Sequence, residues 1–140
     1  MLRRTPLRRV SKSRAGLPRH IRTELDCAAR ELCFRNAGHC CERCGKRERL
    51  QWHHVYSRRY LSLRWEALNL IALCAGCHLW WHHNPLDAAA WFAERFGESR
   101  VRRLRLIMGT RKRTDLPGLL ESLRSALAAK GGGCQSPMIA

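Results

Sequence analysis

The sequence predicts a small α+β protein, mostly helical, with two short strands near its centre and helices on either side. Three observations carry that expectation. Apolar residues recur at helical spacing before and after the centre of the 140-residue chain. Two short apolar runs, residues 50–55 and 69–73, read as strands separated by a basic loop. Around them stand two Cys-x-x-Cys pairs, Cys41/Cys44 and Cys74/Cys77. That gap lets two sulfurs of a pair converge on one ion, and zinc favours four thiolates. A chain of this length holds one modest core, which a structural zinc would tie together.

Composition narrows the function. Lys and Arg number 27 against 11 Asp and Glu, a net charge of +16. Arg predominates, and its planar fork of donors suits phosphate oxygens. So large an excess on a short chain points to a nucleic-acid partner. A membrane surface fits less well, because no long basic amphipathic helix stands out. No apolar run is long enough to span a bilayer, and no signal-peptide core follows the basic N-terminus. The expectation is a soluble, cytoplasmic protein. Eight cysteines would suit four disulfides in a secreted chain. In a reducing compartment the same count points to metal ligation, which the paired spacing favours.

Taken in order, residues 1–18 lack acidic residues and apolar periodicity, and read as a disordered basic arm offering Arg3, Arg4, Arg8 and Arg9 to DNA backbone. Residues 19–130 read as a single domain. Its first helix spans 19–37, with Ile21, Leu25, Ala28 and Leu32 on one face and Gly38 as the stop. Cys27 and Cys33 are expected to be buried there as small hydrophobes. Cys41 to Cys44 forms the first metal knuckle, Gly45 permits the turn after it, and Cys40 is a bystander. Leu63, Trp65 and Leu68 are core residues of a turn or short helix between the strands. A helix over 75–83 follows Cys74. Asn84 is expected to cap the next helix, with Pro85 at its first position and Trp91, Phe92 and Phe96 buried. A further helix over 99–108 carries Arg100, Arg102, Arg103 and Arg105, read either as a solvated face or as DNA contacts. Thr114 or Asp115 caps a last helix that ends near Lys130, with Pro117 in its first turn. Residues 131–140, including Cys134, read as a flexible tail.

The histidines need their own account. On a helix, His78 and His82 share a face, and His82 lies about 140° around from Cys77 at 3.6 residues per turn. One helix can thus give a thiolate to zinc and imidazoles to a second metal. His83 points away. His53 and His54, adjacent in a strand, would face opposite sides, one to bind metal and the other to address substrate.

Cys41-x-x-Cys44, His53-His54, Asn69 and Leu73-Cys74-x-x-Cys77-His78-x-x-x-His82 together resemble the HNH endonuclease family over about residues 39–83. The resemblance implies the ββα-metal, treble-clef-like fold, a hairpin and helix cradling one divalent ion, with the C-terminal helices over 85–130 outside it. It implies His54 as general base, and His53, His78 and His82 as ligands of the catalytic ion. Asn69 would hold the loop and orient the base. His stands at both His53 and His78, where many members have Asp and Asn. An all-imidazole site suits zinc, nickel or manganese better than magnesium, although water and phosphate oxygens could complete a magnesium site. Arg58, Arg59 or Arg64 would clamp flanking phosphates. The implied products carry 5′-phosphate and 3′-hydroxyl ends. The Arg-rich start and the stretch from His54 to Trp65 are also similar to small phage or prophage HNH proteins, some associated with recombination, which implies a bacterial host.

Two other readings compete. A non-catalytic zinc module that binds DNA explains the cysteines and the charge but leaves the four histidines without a joint role. A degenerate nuclease serving as a recombination or packaging partner explains both. A two-Cys two-His finger is excluded by the spacing after Cys44.

Overall fold

The computed structural model describes residues 18–110 and 115–129. Arg3, Arg4, Arg8, Arg9, Thr114 and Cys134 lie outside the described residues. The order is α1 (Arg19–Asn36), β1 (Leu50–His54), α2 (Leu61–Arg64), a 3₁₀ turn (Ala67–Asn69), β2 (Leu70–Cys74), α3 (Ala75–His83), α4 (Pro85–Phe96), α5 (Glu98–Gly109) and α6 (Leu116–Ala129). This is the mostly helical α+β architecture expected.

β1 and β2 pair antiparallel, with Leu50 opposite Cys74 and His54 opposite Leu70. All five residues of β2 are buried. Period-2 alternation then divides the interior. Leu70 and Ala72 face a cluster with Leu25, Ala29 and Leu32 of α1 and Leu123 of α6. Ile71 and Leu73 face a second cluster with Cys77, Phe92, Val101 and Leu104. A strand buried on both faces is a short continuous apolar run, which is why Leu70-Ile-Ala-Leu shows no polar alternation.

The connection between the strands is held by Asn69, which is fully buried. Its amide nitrogen donates to the carbonyls of Tyr56 (3.0 Å) and Leu63 (2.9 Å), and its oxygen accepts from the Tyr56 amide (2.7 Å). The loop is also tied to α1. Asp26 accepts from Arg64 Nε (3.3 Å) and Nη2 (2.9 Å) and from Trp65 Nε1 (2.7 Å). Trp65 is 1% exposed, so its indole N–H needs that partner.

Several details depart from expectation. The buried stripe of α1 is Leu25, Ala29, Leu32 and Cys33, so Ala28 is only half-buried and Cys27 is exposed. The direction from which β2 and α6 approach sets that face. β2 begins at Leu70, because Asn69 closes the 3₁₀ turn. Asn84 precedes α4, but its side chain donates back to the Trp80 carbonyl of α3 (3.0 Å) instead of capping α4. A one-residue link leaves the freed carbonyls of α3 within reach, and they compete for the amide. Phe92 is buried, whereas Trp91 and Phe96 are half-buried. Arg100 belongs to neither expected class: Nε donates to Leu68 O (2.8 Å), Nη2 to Leu70 O (3.2 Å), and the guanidinium lies 4.3 Å from the Phe96 ring centroid. Gly38, at φ 62°, does stop α1, with His39 N donating to Phe34 O (2.8 Å). Asp115 Oδ1 accepts from Gly118 N (3.3 Å) at the start of α6.

Candidate metal centre

The first cluster is built where a turn meets a strand-to-helix junction. Gly45, at φ 76°, lets the chain reverse after Cys44, and Gly45 N donates to Cys41 O (2.8 Å). Cys74 ends β2 and precedes α3, and Cys77 lies in the first turn of that helix. The sulfurs of Cys41, Cys44, Cys74 and Cys77 all lie within 4.8 Å of one another, and Cys44 and Cys74 are 3.6 Å apart. Tetrahedral zinc with sulfur at about 2.3 Å spaces its ligands roughly 3.8 Å apart. A disulfide needs about 2.05 Å. The donor set therefore fits zinc. Burial pushes the Cys77 thiol up to about 12, while the Cys77 backbone amide draws Cys74 down to about 7. Arg43 brings a cation to this site, with Nη1 3.6 Å from Cys77 Sγ and its guanidinium 3.7 Å from the Trp80 ring centroid. Four thiolates would carry more negative charge than one guanidinium balances, and a divalent ion would offset it. Cys40 stays outside the cluster and bonds the Ala37 carbonyl (2.8 Å). Cys33 is buried, with its thiol pushed up to about 12.

The second cluster joins β1 to α3. The ligand atoms of His53, His78 and His82 lie within 4.8 Å of one another. Ring centroids are 4.8 Å apart for His53 and His78, 5.4 Å for His53 and His82, and 4.9 Å for His78 and His82. Among the described residues, His53 Nε2 is the buried side-chain polar atom left without a hydrogen-bond partner. A buried polar nitrogen of this kind calls for an explanation, and a metal ion is one. Burial, with the neighbouring imidazoles, holds His53 down at about 3, and burial also lowers His78. Both shifts favour the neutral imidazole, the form that binds metal.

Sequence reasoning missed Gln51. Its side-chain oxygen accepts a hydrogen bond from His78 Nδ1, which leaves His78 Nε2 free as a ligand. The available signal was strand period, since Gln51 and His53 share a face of β1.

His54 lies on the other face. Its ring is 4.7 Å from that of Trp52, and Nε2 is 2.8 Å from the Arg64 carbonyl. A carbonyl only accepts, so Nε2 carries the proton and Nδ1 keeps its lone pair. Burial lowers the pKa of His54. Asn69 acts on this region through backbone: its carbonyl accepts from Val55 N (3.0 Å), directly after His54. Arg58 and Arg59 are exposed on the loop. Arg64, expected to face phosphate, is instead committed to Asp26, with its side chain 17% exposed. His83 stays outside both clusters.

No helix among the described residues is long and apolar enough to cross a membrane. Neither the curated proteins nor the solved structures yield a match to the chain. Residues 41–83 match the family model described as HNH endonuclease. That segment contains both clusters, the two strands and α3, so the similarity to the HNH endonuclease family falls on the stretch that builds the candidate metal centre.

Proposed function

We propose that the protein is a metal-dependent endonuclease that hydrolyses DNA phosphodiester bonds, leaving 5′-phosphate and 3′-hydroxyl ends. The observation that carries this reading is the division of labour at the end of β1. His53 has a buried, unpartnered Nε2 and is gathered with His78 and His82, while the next residue, His54, bonds a carbonyl through Nε2 and keeps the Nδ1 lone pair. A plain zinc module has no use for that arrangement.

In this reading His54 Nδ1 takes a proton from the attacking water. The bond from Nε2 to the Arg64 carbonyl keeps the imidazole in the required tautomer and steadies the imidazolium that forms. Asn69 fixes the segment that follows. His53, His78 and His82 would hold the catalytic ion, with Gln51 orienting His78. The chemistry such an ion would supply is neutralisation of charge on the phosphate and on the leaving 3′ oxygen. The imidazole set favours zinc, nickel or manganese, with magnesium dependent on added oxygen ligands. Arg58 and Arg59, exposed on the loop, would meet flanking phosphates, and the arm with Arg3, Arg4, Arg8 and Arg9 would add backbone contacts. We place the protein in the cytoplasm of a bacterial cell, as a phage or prophage product, acting alone or with a recombination or packaging partner.

The test is conversion of supercoiled plasmid by wild type and His54→Ala, with magnesium, manganese, nickel or zinc added to metal-stripped buffer. Cleavage by wild type should fall about 100-fold or more in the variant, with the four-cysteine zinc retained. Equal cleavage by both would remove His54 from the role. Retained DNA binding without cleavage by either would favour a DNA-binding module or a partner-dependent factor.

A further inference from the structure

The histidine centre leaves one strongly charged feature unused. Ser99, Arg102, Arg103 and Leu106 share a face of α5 at spacings of three, four and seven residues. With Leu68 and Arg100 they line an open cleft of about 500 Å³. Arginines on an exposed helix ordinarily form a solvated face. Three features set these apart.

The cleft has a fixed wall, because Arg100 is tied to the Leu68 and Leu70 carbonyls and stacked on Phe96. Among the described residues no carboxylate lines it. Glu66, just before that wall, turns to accept from Leu68 N (3.3 Å), and Glu98, one turn before Arg102, makes no ion pair with it. Its position is also specific. Arg100 reaches the carbonyl of Leu70, and Leu70 is the register partner of His54. α5 is thereby docked against the end of the hairpin that carries His54, although it lies outside residues 41–83.

We propose that the α5 cleft binds the phosphodiester backbone of duplex DNA beside the point of cleavage, with Arg102 and Arg103 each meeting one phosphate. Exposed guanidiniums with no carboxylate partner form strong charge-assisted bonds to phosphate oxygens. Leu106, 68% exposed, supplies an apolar edge for the sugar. This inference rests on the reading of DNA as substrate, but not on cleavage.

The experiment measures affinity of the full-length zinc protein for a short duplex across a salt series, without added divalent ion, by fluorescence anisotropy. Arg102→Ala/Arg103→Ala is compared with Arg22→Ala/Arg30→Ala, two exposed arginines of α1. Each lost phosphate contact should reduce the log–log salt slope by about 0.9, so the α5 variant should be shallower by about 2. Its affinity should fall more than about tenfold at low salt, and the α1 variant should change much less. Zinc content and circular dichroism should match wild type for both. Equal slopes for the two double variants would overturn the proposal, because net charge alone would then explain binding. Failure of wild type to bind duplex would overturn it as well. Binding as described without plasmid cleavage would count against a nuclease that acts alone and leave the cleft standing.

Discussion

The two clusters share α3 yet are built on different principles. The cysteine cluster is made from two local turns, each placing its own pair of sulfurs, and buries three of its four ligands. The histidine cluster has one ligand on β1 and two on α3, and its ligands grade from buried His53 to exposed His82. The first closes four positions with protein atoms. The second offers three, which leaves room for water or a phosphate oxygen. Closed thiolate sites hold folds together, and open imidazole sites do chemistry. Cys77 of the first cluster and His78 and His82 of the second lie on that one helix, so loss of the first is expected to disturb the second.

That dependence predicts a strong asymmetry. Cys74→Ser should cost the most. It removes a ligand at the junction of β2 and α3, and we expect loss of zinc, of the cooperative thermal transition and of metal binding by the histidines together. Elemental analysis with thermal circular dichroism checks this. Independent survival of the histidine site would break the asymmetry. His53→Ala is the converse. It should abolish one divalent ion per chain, with affinity down more than about 100-fold, while four-cysteine zinc and helix content stay. Loss of both metals would show that the clusters are one unit.

Smaller effects sharpen the contrast at the level of supporting residues. Gln51→Ala should weaken metal binding by the histidines about 10- to 100-fold, because His78 loses the partner that fixes its tautomer. Gln51→Glu should restore it, and calorimetric titration of cobalt distinguishes the two. Arg43→Ala should matter least. The guanidinium is exposed, its contact with Trp80 is worth about 0.5–1 kcal/mol, and zinc release to a chelator should quicken less than about tenfold. A larger effect at Arg43 than at Gln51 would reverse the order of the two sites.

Legibility followed the same divide. Cys41, Cys44, Cys74 and Cys77 were assigned from spacing alone, and the structure gathers these four and leaves out Cys40. The opposite faces of His53 and His54 followed from strand period, and the shared face of His78 and His82 from helical period. Gln51, Asp26 and Arg100 were not legible. Each acquires its meaning from a partner far along the chain: Gln51 from His78, Asp26 from Arg64 and Trp65, Arg100 from the Leu68 and Leu70 carbonyls. Arg64 was read as a phosphate clamp for the same reason, since nothing near it in sequence announces Asp26.

By itself the sequence determined the helices, the two strands, the cysteine set and the pairing of His78 with His82. These depend on periodicity and on gaps of two to four residues, which backbone geometry converts directly into direction. The tertiary structure decided which arginines are free and which are committed. It also decided which side of α1 is buried, exposing Cys27, and which end of the hairpin meets α5. Those outcomes depend on strand register and on the approach of distant elements, and no local pattern encodes either.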